Sequence, residues 1–265
     1  SGSYVAETGE NKYETLEEAI NAAKSGATVT MLADTRENVT IAKKLTLDLN
    51  GFTINGGQVE GKATIKVDNA SVTIQDSSAG QTGTIMREDT AENSGVSSHY
   101  VIDIQGKYGF LRFEGGNVIN NSGTETGDGA SLICLGDDRV RSANPVLTIT
   151  GGTFTQDNFV AIKVDYGTLH LLGGVVNSAN SYAVENWRAA NIKGGTVNGT
   201  VSSWAYSTGV AYSALTISGG TVNGDVASVN YDSAADKQAR VYVKGGTVTG
   251  TLGTYTYENG LVPTN

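Results

Sequence analysis

Apolar and polar residues alternate along most of the chain in short runs, and many of these runs end at a pair of glycines. One such unit reads Leu147-Thr-Ile149-Thr-Gly151-Gly152-Thr-Phe154. Its glycine pair has counterparts beginning at Gly115, Gly173, Gly194, Gly219 and Gly245. An alternation with a period of two turns one side of each short strand toward a core. The chain therefore consists of repeated short strands.

The repeat also predicts how the strands are arranged. Paired glycines permit sharp corners with a positive φ, which a Cβ atom opposes. Strands from successive units then stack about 4.8 Å apart and bury a continuous apolar column. The unit contains no helical half, and a β-propeller blade needs about 40 residues. We therefore predict an all-β fold, a single-stranded right-handed parallel β-helix of about eight coils. Residues 45–51 and 71–76 are expected to be earlier, less regular coils.

The N-terminal region has a different pattern. Thr15 and Glu18 form a capping box, and Gly26 is expected to end the helix that follows. The apolar stripe of this helix consists of Leu16, Ala19, Ile20 and Ala23. Such a helix covers the open end of a solenoid. We therefore divide the chain into a tag remnant and leader (1–12), an N-terminal cap helix (13–28) and the parallel β-helix (29–265), which together make one domain.

These N-terminal residues also carry a family resemblance. The segment from Tyr13 through Val29-Thr-Met-Leu32, together with residues 45–54, resembles pectate-lyase-like β-helix modules. More narrowly, it is similar to modules of large secreted or wall-anchored bacterial surface proteins. The resemblance implies the β-helix fold and an extracellular location, either on the bacterial cell surface or secreted. It does not imply one activity, since the superfamily contains lyases, hydrolases, tailspikes, adhesins and spacers.

Charge and composition exclude several partners. The net charge is −9, and the basic residues are scattered. Nucleic acid and anionic membrane surfaces are therefore not expected partners, and no apolar stretch is long enough to insert into a membrane. The single cysteine, Cys134, lies in an apolar run. We interpret it as a buried, inert thiol, with a nucleophilic or redox role as the alternative.

The segment that leads into each glycine-containing strand carries most of the unusual side chains. Because the coils stack, we expect these segments to lie along one side of the solenoid. Aromatic rings mixed with carboxylates and arginines are typical of a polysaccharide groove. The predicted ligand-binding residues are Asp137, Asp138, Arg139, Tyr166, Glu185, Trp187, Arg188, Trp204, Tyr206, Tyr231 and Asp232.

Other interpretations of these residues stay open. In one alternative, the tyrosines and tryptophans pack beneath their own loops. Asp137, Asp138 and Arg139 are the alternative catalytic residues. Gly136-Asp137-Asp138 matches one of the four motifs found in the galacturonan hydrolases of this superfamily. Asp137 and Asp138 are also candidate Ca²⁺ ligands, as is the loop 125–129; no other cofactor is expected. A column of asparagines is interpreted as a stacked amide ladder rather than a ligand site: Asn120, Asn177, Asn198 and Asn223.

The sequence thus favours a non-catalytic extracellular module that binds polysaccharide, host glycan or host matrix through a loop-bearing face. Its motivating feature is the column of aromatic and charged residues from Asp137 to Asp232. One alternative is a polysaccharide lyase or glycoside hydrolase, and another is a passive stalk of a large surface protein. We expect a monomeric module of a longer chain.

Overall fold

The computed structural model describes residues 3–56, 61–87, 99–120, 130–206, 212–230 and 238–256. Within these ranges the chain forms one helix and 27 strands, and nearly all of the strand pairs are parallel. Three successive strands make one repeat, and equivalent strands of successive repeats pair side by side. The strands therefore form three rows, which we call the first, second and third row.

The first row begins beside two antiparallel strands, β1 (Ala6–Thr8) and β2 (Asn11–Tyr13). Its parallel members are β3 (Thr28–Met31), β6 (Leu45–Asp48), β9 (Ser71–Gln75), β12 (Phe110–Phe113), β15 (Val146–Ile149), β18 (Thr168–Leu171), β20 (Ala189–Ile192), β22 (Tyr212–Ile217) and β25 (Gln238–Val243). The second row contains β4 (Thr35–Arg36), β7 (Thr53–Gly56), β10 (Thr84–Arg87), β13 (Asn117–Ile119), β16 (Thr153–Thr155), β23 (Thr221–Asn223) and β26 (Thr247–Val248).

The third row contains β5 (Val39–Ile41), β8 (Ile65–Asp68), β11 (Ile102–Gln105), β14 (Ile133–Gly136), β17 (Ile162–Tyr166), β24 (Val226–Asn230) and β27 (Leu252–Thr256). Two long strands, β19 (Val175–Asn186) and β21 (Thr196–Ala205), run from the second row into the third. Each row thus has nine described parallel strands, against about eight predicted coils. The additional repeat, β3 to β5, has no glycine pair. The arrangement is all-β, parallel and compatible with a parallel β-helix.

The predicted alternation places apolar side chains in stacked columns between the rows. In the first row one such column follows the strand register through Leu47, Ile74, Phe113, Ile149, Leu171, Ile192 and Ile217, and all of these residues are fully buried. The Phe113 ring meets Phe154 of the second row edge-on, with ring centroids 4.7 Å apart. The core therefore runs along the inside of all three rows.

The two glycines of a pair serve different purposes, as Gly173 and Gly174 illustrate. A Cβ atom on Gly173 would lie 2.3 Å from the carbonyl oxygen of Thr150 in the preceding repeat. Gly174 has a φ of +85°, a backbone conformation that residues other than glycine rarely adopt. The first glycine thus allows close stacking of repeats, and the second allows the corner.

The N-terminal helix is shorter than predicted, and two strands precede it. Helix α1 (Leu16–Ala22) begins at Thr15, whose Oγ1 accepts a hydrogen bond from the backbone N–H of Glu18 at 3.1 Å. The helix ends at Ala22, before the expected Gly26. Strands β1 and β2 lie partly within residues 1–12, which the sequence assigned to a leader, and β1 pairs with the edge of β3. The described residues contain no helix long and apolar enough to cross a membrane.

The predicted amide ladder exists at the end of the second-row strands. Asn223 Nδ2 donates to Asn198 Oδ1 at 2.9 Å, and Asn198 Nδ2 donates to Asn177 Oδ1 at 2.8 Å. In the preceding repeat, Thr155 occupies the position equivalent to Asn177. Asn120 is not a member, because Ile119 aligns with Thr155 and places Asn120 one residue further, where it is buried.

Candidate functional site

The outer surface of the third row brings polar side chains from distant parts of the chain together. Its strand register aligns one outward column, which contains Lys66, Asp103, Cys134, Lys163, Glu185, Ser202 and Ala227. The connections that enter or leave this row include the longest in the chain, such as those from β10 to β11 and from β14 to β15. The third row therefore forms a floor, with connections along both of its edges.

All predicted ligand-binding residues in the described part of the chain lie on this floor, in the connections beside it or at its border with the first row. Two of the predicted residues, Tyr231 and Asp232, lie outside the described residues. The floor itself contributes residues that were not predicted, above all Lys66 and Asp103. These are outward positions of alternating strands, Ile65-Lys66-Val67 and Ile102-Asp103-Ile104, and only the register shows that they are neighbours.

Four aromatic side chains form a cluster toward the C-terminal end of the floor. Trp187 stacks on Trp204 with ring centroids 5.4 Å apart and an angle of 28° between the planes. Tyr182 and Tyr206 meet the two indoles edge-on, at 5.6 Å from Trp204 and 5.2 Å from Trp187 respectively. Because Trp204 is only 4% exposed, it packs beneath its neighbours and presents no open ring to a ligand. Its assignment as a ligand-binding residue is therefore corrected, whereas Trp187 is half-buried.

The polar atoms of the two indoles are anchored locally. Trp204 Nε1 donates to Ser202 Oγ at 2.8 Å, and Trp187 Nε1 donates to Glu185 Oε1 at 3.0 Å. Burial raises the pKa of the Glu185 carboxyl, while Lys163 and the Trp187 hydrogen bond oppose that shift. The predicted Glu185 is thus engaged by the aromatic cluster rather than by open solvent.

Tyr206 connects the aromatic cluster to an acidic region. Its hydroxyl donates to Asp138 Oδ2 at 2.7 Å, a contact between residues 68 positions apart. Burial and the hydrogen bond to Asp138 raise the pKa of Tyr206 to about 12. The hydroxyl consequently remains a proton donor throughout the neutral range.

A cavity of about 500 Å³ lies beside this contact, and we call it the acidic cavity. Its charged or titratable lining residues are Lys66, His99, Tyr100, Asp103, Cys134, Asp137, Asp138, Arg139 and Asp165. Burial, with Arg87 and Lys66 nearby, lowers the pKa of His99 to about 4, so His99 is neutral at pH 7. The ionised lining groups are therefore mainly carboxylates.

Three of these carboxylates converge. One oxygen each from Asp137, Asp138 and Asp165 lies within 4.8 Å of the other two. The guanidinium of Arg139 binds both Asp137 oxygens, at 3.0 and 2.8 Å, and lowers the pKa of Asp137. Burial has the opposite effect on Asp165 and raises its pKa. The three oxygens are a donor set suited to a hard cation such as Ca²⁺, with Asp165 joining the two predicted ligands.

Cys134 lies on the floor of the acidic cavity and is only 3% exposed. Its Sγ lies 3.5 Å from the carbonyl oxygen of Gly136. Burial raises the pKa of the thiol, so it is not ionised at neutral pH. The prediction of a buried thiol is confirmed.

A second arrangement follows the border between the third and first rows, and we call it the tyrosine–arginine ladder. The Arg188 guanidinium lies 5.1 Å from the ring centroid of Tyr166 and 5.3 Å from that of Tyr212. Arg240 lies 5.4 Å from the same Tyr212 ring. These distances are within the range of cation–π contacts. The ladder thus places Tyr166 and Arg188 apart from the acidic cavity, although the sequence grouped them with its residues.

No protein-family model, no curated protein and no solved structure matches this chain.

Proposed function

We propose that the chain is a right-handed parallel β-helix of the pectate-lyase-like kind and that its third row binds a carbohydrate. In this proposal it is an extracellular module of a larger bacterial surface protein. The parallel rows and the glycine corners support the fold assignment. The observation that carries the functional proposal is the Tyr206–Asp138 contact, which joins an aromatic cluster to an acidic cavity. This combination suits a sugar, since sugars have apolar ring faces and many hydroxyl groups.

The size and charge of the acidic cavity narrow the ligand class. A volume of about 500 Å³ lies within the usual range of small-molecule sites. Asp103, Asp137, Asp138 and Asp165 outnumber the lining cations Lys66 and Arg139, and Arg139 is already paired with Asp137. Carboxylates accept hydrogen bonds from sugar hydroxyls but repel a uronate. The acidic cavity therefore favours a neutral glycan, with Trp187 and Tyr206 beside it.

Binding of the purified chain to a broad glycan array, once with Ca²⁺ and once with a chelator, tests this proposal. We expect neutral glycans to be retained. The Asp138→Asn variant should bind the same glycans about tenfold more weakly, since a charged acceptor at the site is lost. The matched control Glu17→Gln removes an exposed carboxylate of α1 and should bind like the unchanged chain.

The outcomes separate the alternatives. Loss of binding in chelator alone would assign a bound cation to Asp137, Asp138 and Asp165. A blank array in both conditions would contradict the proposal and favour a passive stalk. Equal losses in Asp138→Asn and Glu17→Gln would show that net charge, rather than the acidic cavity, governs binding.

Glycoside hydrolysis is a second candidate, favoured by the opposite pKa shifts of two neighbouring carboxyls. Asp165 is shifted toward the protonated form and Asp137 toward the ionised form, as an acid and a base require. Their oxygens lie within 4.8 Å, closer than the roughly 6.5–9.5 Å typical of inverting enzymes. Release of reducing ends from a glycan that binds, abolished in Asp165→Asn, would establish this activity. The absence of product from every glycan that binds would contradict it.

A further inference from the structure

The outer surface of the first row has an uneven distribution of charge. Toward its N-terminal end the outward and strand-end residues include the acids Glu114, which pairs with Arg112, and Asp48, which is buried. From β18 to β25, the described outward residues include no acid. The cations on this part are Arg188 at its border and Lys193, Arg240 and Lys244. The feature is notable because the chain as a whole carries a net charge of −9.

Two of these cations are held by aromatic rings instead of carboxylates. Arg188 lies between the rings of Tyr166 and Tyr212, and Arg240 contacts Tyr212. Within the described residues, neither guanidinium has an ion-pair partner. A guanidinium stacked on a ring keeps its N–H groups at the edge of the stack, where they can bind an oxyanion in a bidentate manner. The tyrosine–arginine ladder therefore orders two guanidinium groups, and no carboxylate in the described part of the chain pairs with either of them.

Exposed aromatic rings accompany these cations. Tyr212 is 48% exposed and Tyr242 is 42% exposed. The ammonium group of Lys244 lies 5.8 Å from the Tyr242 ring centroid. The surface thus alternates cationic groups with rings on which a sugar can pack.

We propose that the outer face of the first row from β18 to β25 binds an anionic glycan, with Arg188 and Arg240 holding its carboxylate or sulfate groups. This surface is separate from the acidic cavity, whose carboxylates repel such a ligand. A glycan fits better than duplex DNA because DNA binding relies on neutralising many closely spaced phosphates. The charge pattern and the exposed tyrosines together define this partner class.

Titration of the chain with four probes at low salt tests the proposal. The probes are hyaluronan for carboxylates, dextran sulfate for sulfate esters, dextran as a neutral glycan and duplex DNA. We expect binding to one or both anionic glycans, weakened by added salt, and none to dextran or DNA at this surface. The two anionic probes distinguish the carboxylate from the sulfate source of the ligand chemistry.

The variant Arg188→Gln/Arg240→Gln should weaken anionic-glycan binding about tenfold or more. Its matched control is Arg112→Gln, because Arg112 lies on the same row but is paired with Glu114 at 3.2 Å. The conservative variant Arg188→Lys/Arg240→Lys keeps the charge and loses the planar fork, so it should bind more weakly than the unchanged chain. Unfolding midpoints of all variants verify that they fold.

Several results would overturn the proposal. These are no binding to either anionic glycan, an equal loss in Arg112→Gln, full binding by the lysine variant, or equally tight binding of DNA. Neutral-glycan binding at the acidic cavity should not change in Arg188→Gln/Arg240→Gln. The two proposals therefore succeed or fail independently.

Discussion

The acidic cavity and the tyrosine–arginine ladder use the same scaffold in opposite ways. In the acidic cavity, carboxylates lie between connections and are partly buried, so burial raises the pKa of Asp103 and of Asp165. In the ladder, cations lie on the outside of the molecule and contact aromatic rings. Since the backbone repeats, the difference comes from side chains at outward positions and from the length of the connections beside them.

This difference separates stability from binding. Residues around the acidic cavity and its aromatic cluster are packed, so their replacement changes the free energy of unfolding. In the ladder, Tyr212 and Arg240 are exposed and Tyr166 and Arg188 are half-buried, so replacement of the exposed pair mainly changes what the surface binds.

Truncation of a buried side chain in the aromatic cluster should reduce the free energy of unfolding the most. Trp204→Ala removes a 4%-exposed indole that contacts Tyr182 and Trp187, and we expect a loss of about 3–5 kcal/mol in the free energy of unfolding. Urea unfolding measures this loss. The control Tyr108→Ala truncates a 58%-exposed ring and should change it by less than about 0.5 kcal/mol. Similar small changes in both variants would show that Trp204 is not a packing residue.

The acidic cavity should also make stability depend on pH. Because burial raises the folded-state pKa of Asp103, its protonated form favours folding. That contribution is fully present below the unfolded pKa and is lost as pH rises through the folded pKa. Asp103→Asn should therefore reduce the decline in unfolding free energy between about pH 4 and neutral pH.

Asp137→Asn should change the pH dependence of the unfolding free energy in the opposite direction to Asp103→Asn. Arg139 lowers the folded-state pKa of Asp137, so its contribution is present above the unfolded pKa and lost as pH falls through the folded pKa. Urea titrations at several pH values measure both slopes. If the unfolding free energy of Asp103→Asn fell more steeply with rising pH than that of the unchanged chain, the assignment of Asp103 as a buried carboxyl would be wrong.

The sequence predicts the strands better than it predicts the site. Alternation identifies inward residues such as Ile149, and the glycine pairs identify the corners. The first repeat is not among the predicted coils, since it lacks a glycine pair and its three strands are only four, two and three residues long. The grouping of Lys66 with Asp103 also escapes, because a long connection separates their strands and its length conceals the register.

The division of the predicted site residues into two arrangements has a similar cause. Asp165 and Tyr166 are adjacent in sequence, yet the pairing of β14 with β17 shifts at Leu135 and Gly136. Asp165 lines the acidic cavity, while Tyr166 contacts Arg188. Sequence alignment on the glycine pairs places both residues in one column and cannot reveal this irregularity.

The hydrogen bond that joins the aromatic cluster to the acidic cavity should contribute less to the free energy of unfolding than the Trp204 side chain does. Tyr206→Phe removes the hydroxyl that donates to Asp138, and we expect a loss of about 1 kcal/mol in unfolding free energy. A double-mutant cycle with Asp138→Asn measures the coupling between the two side chains. Additive effects of the two substitutions would show that the hydrogen bond contributes nothing measurable.

In the tyrosine–arginine ladder, we expect substitutions to affect ligand binding more than stability. Tyr212→Leu removes the ring shared by Arg188 and Arg240, and exposed cation–π contacts contribute about 0.5–1 kcal/mol each. Tyr108→Leu is the control, since that exposed ring contacts the single cation Lys107. If Tyr212 mainly orders the guanidiniums for a ligand, its loss should weaken anionic-glycan binding several-fold more than Tyr108→Leu does, while the free energy of unfolding of Tyr212→Leu falls by no more than about 1–2 kcal/mol. A large loss of stability without a loss of binding would instead make the ladder a packing device, like the aromatic cluster on the third row.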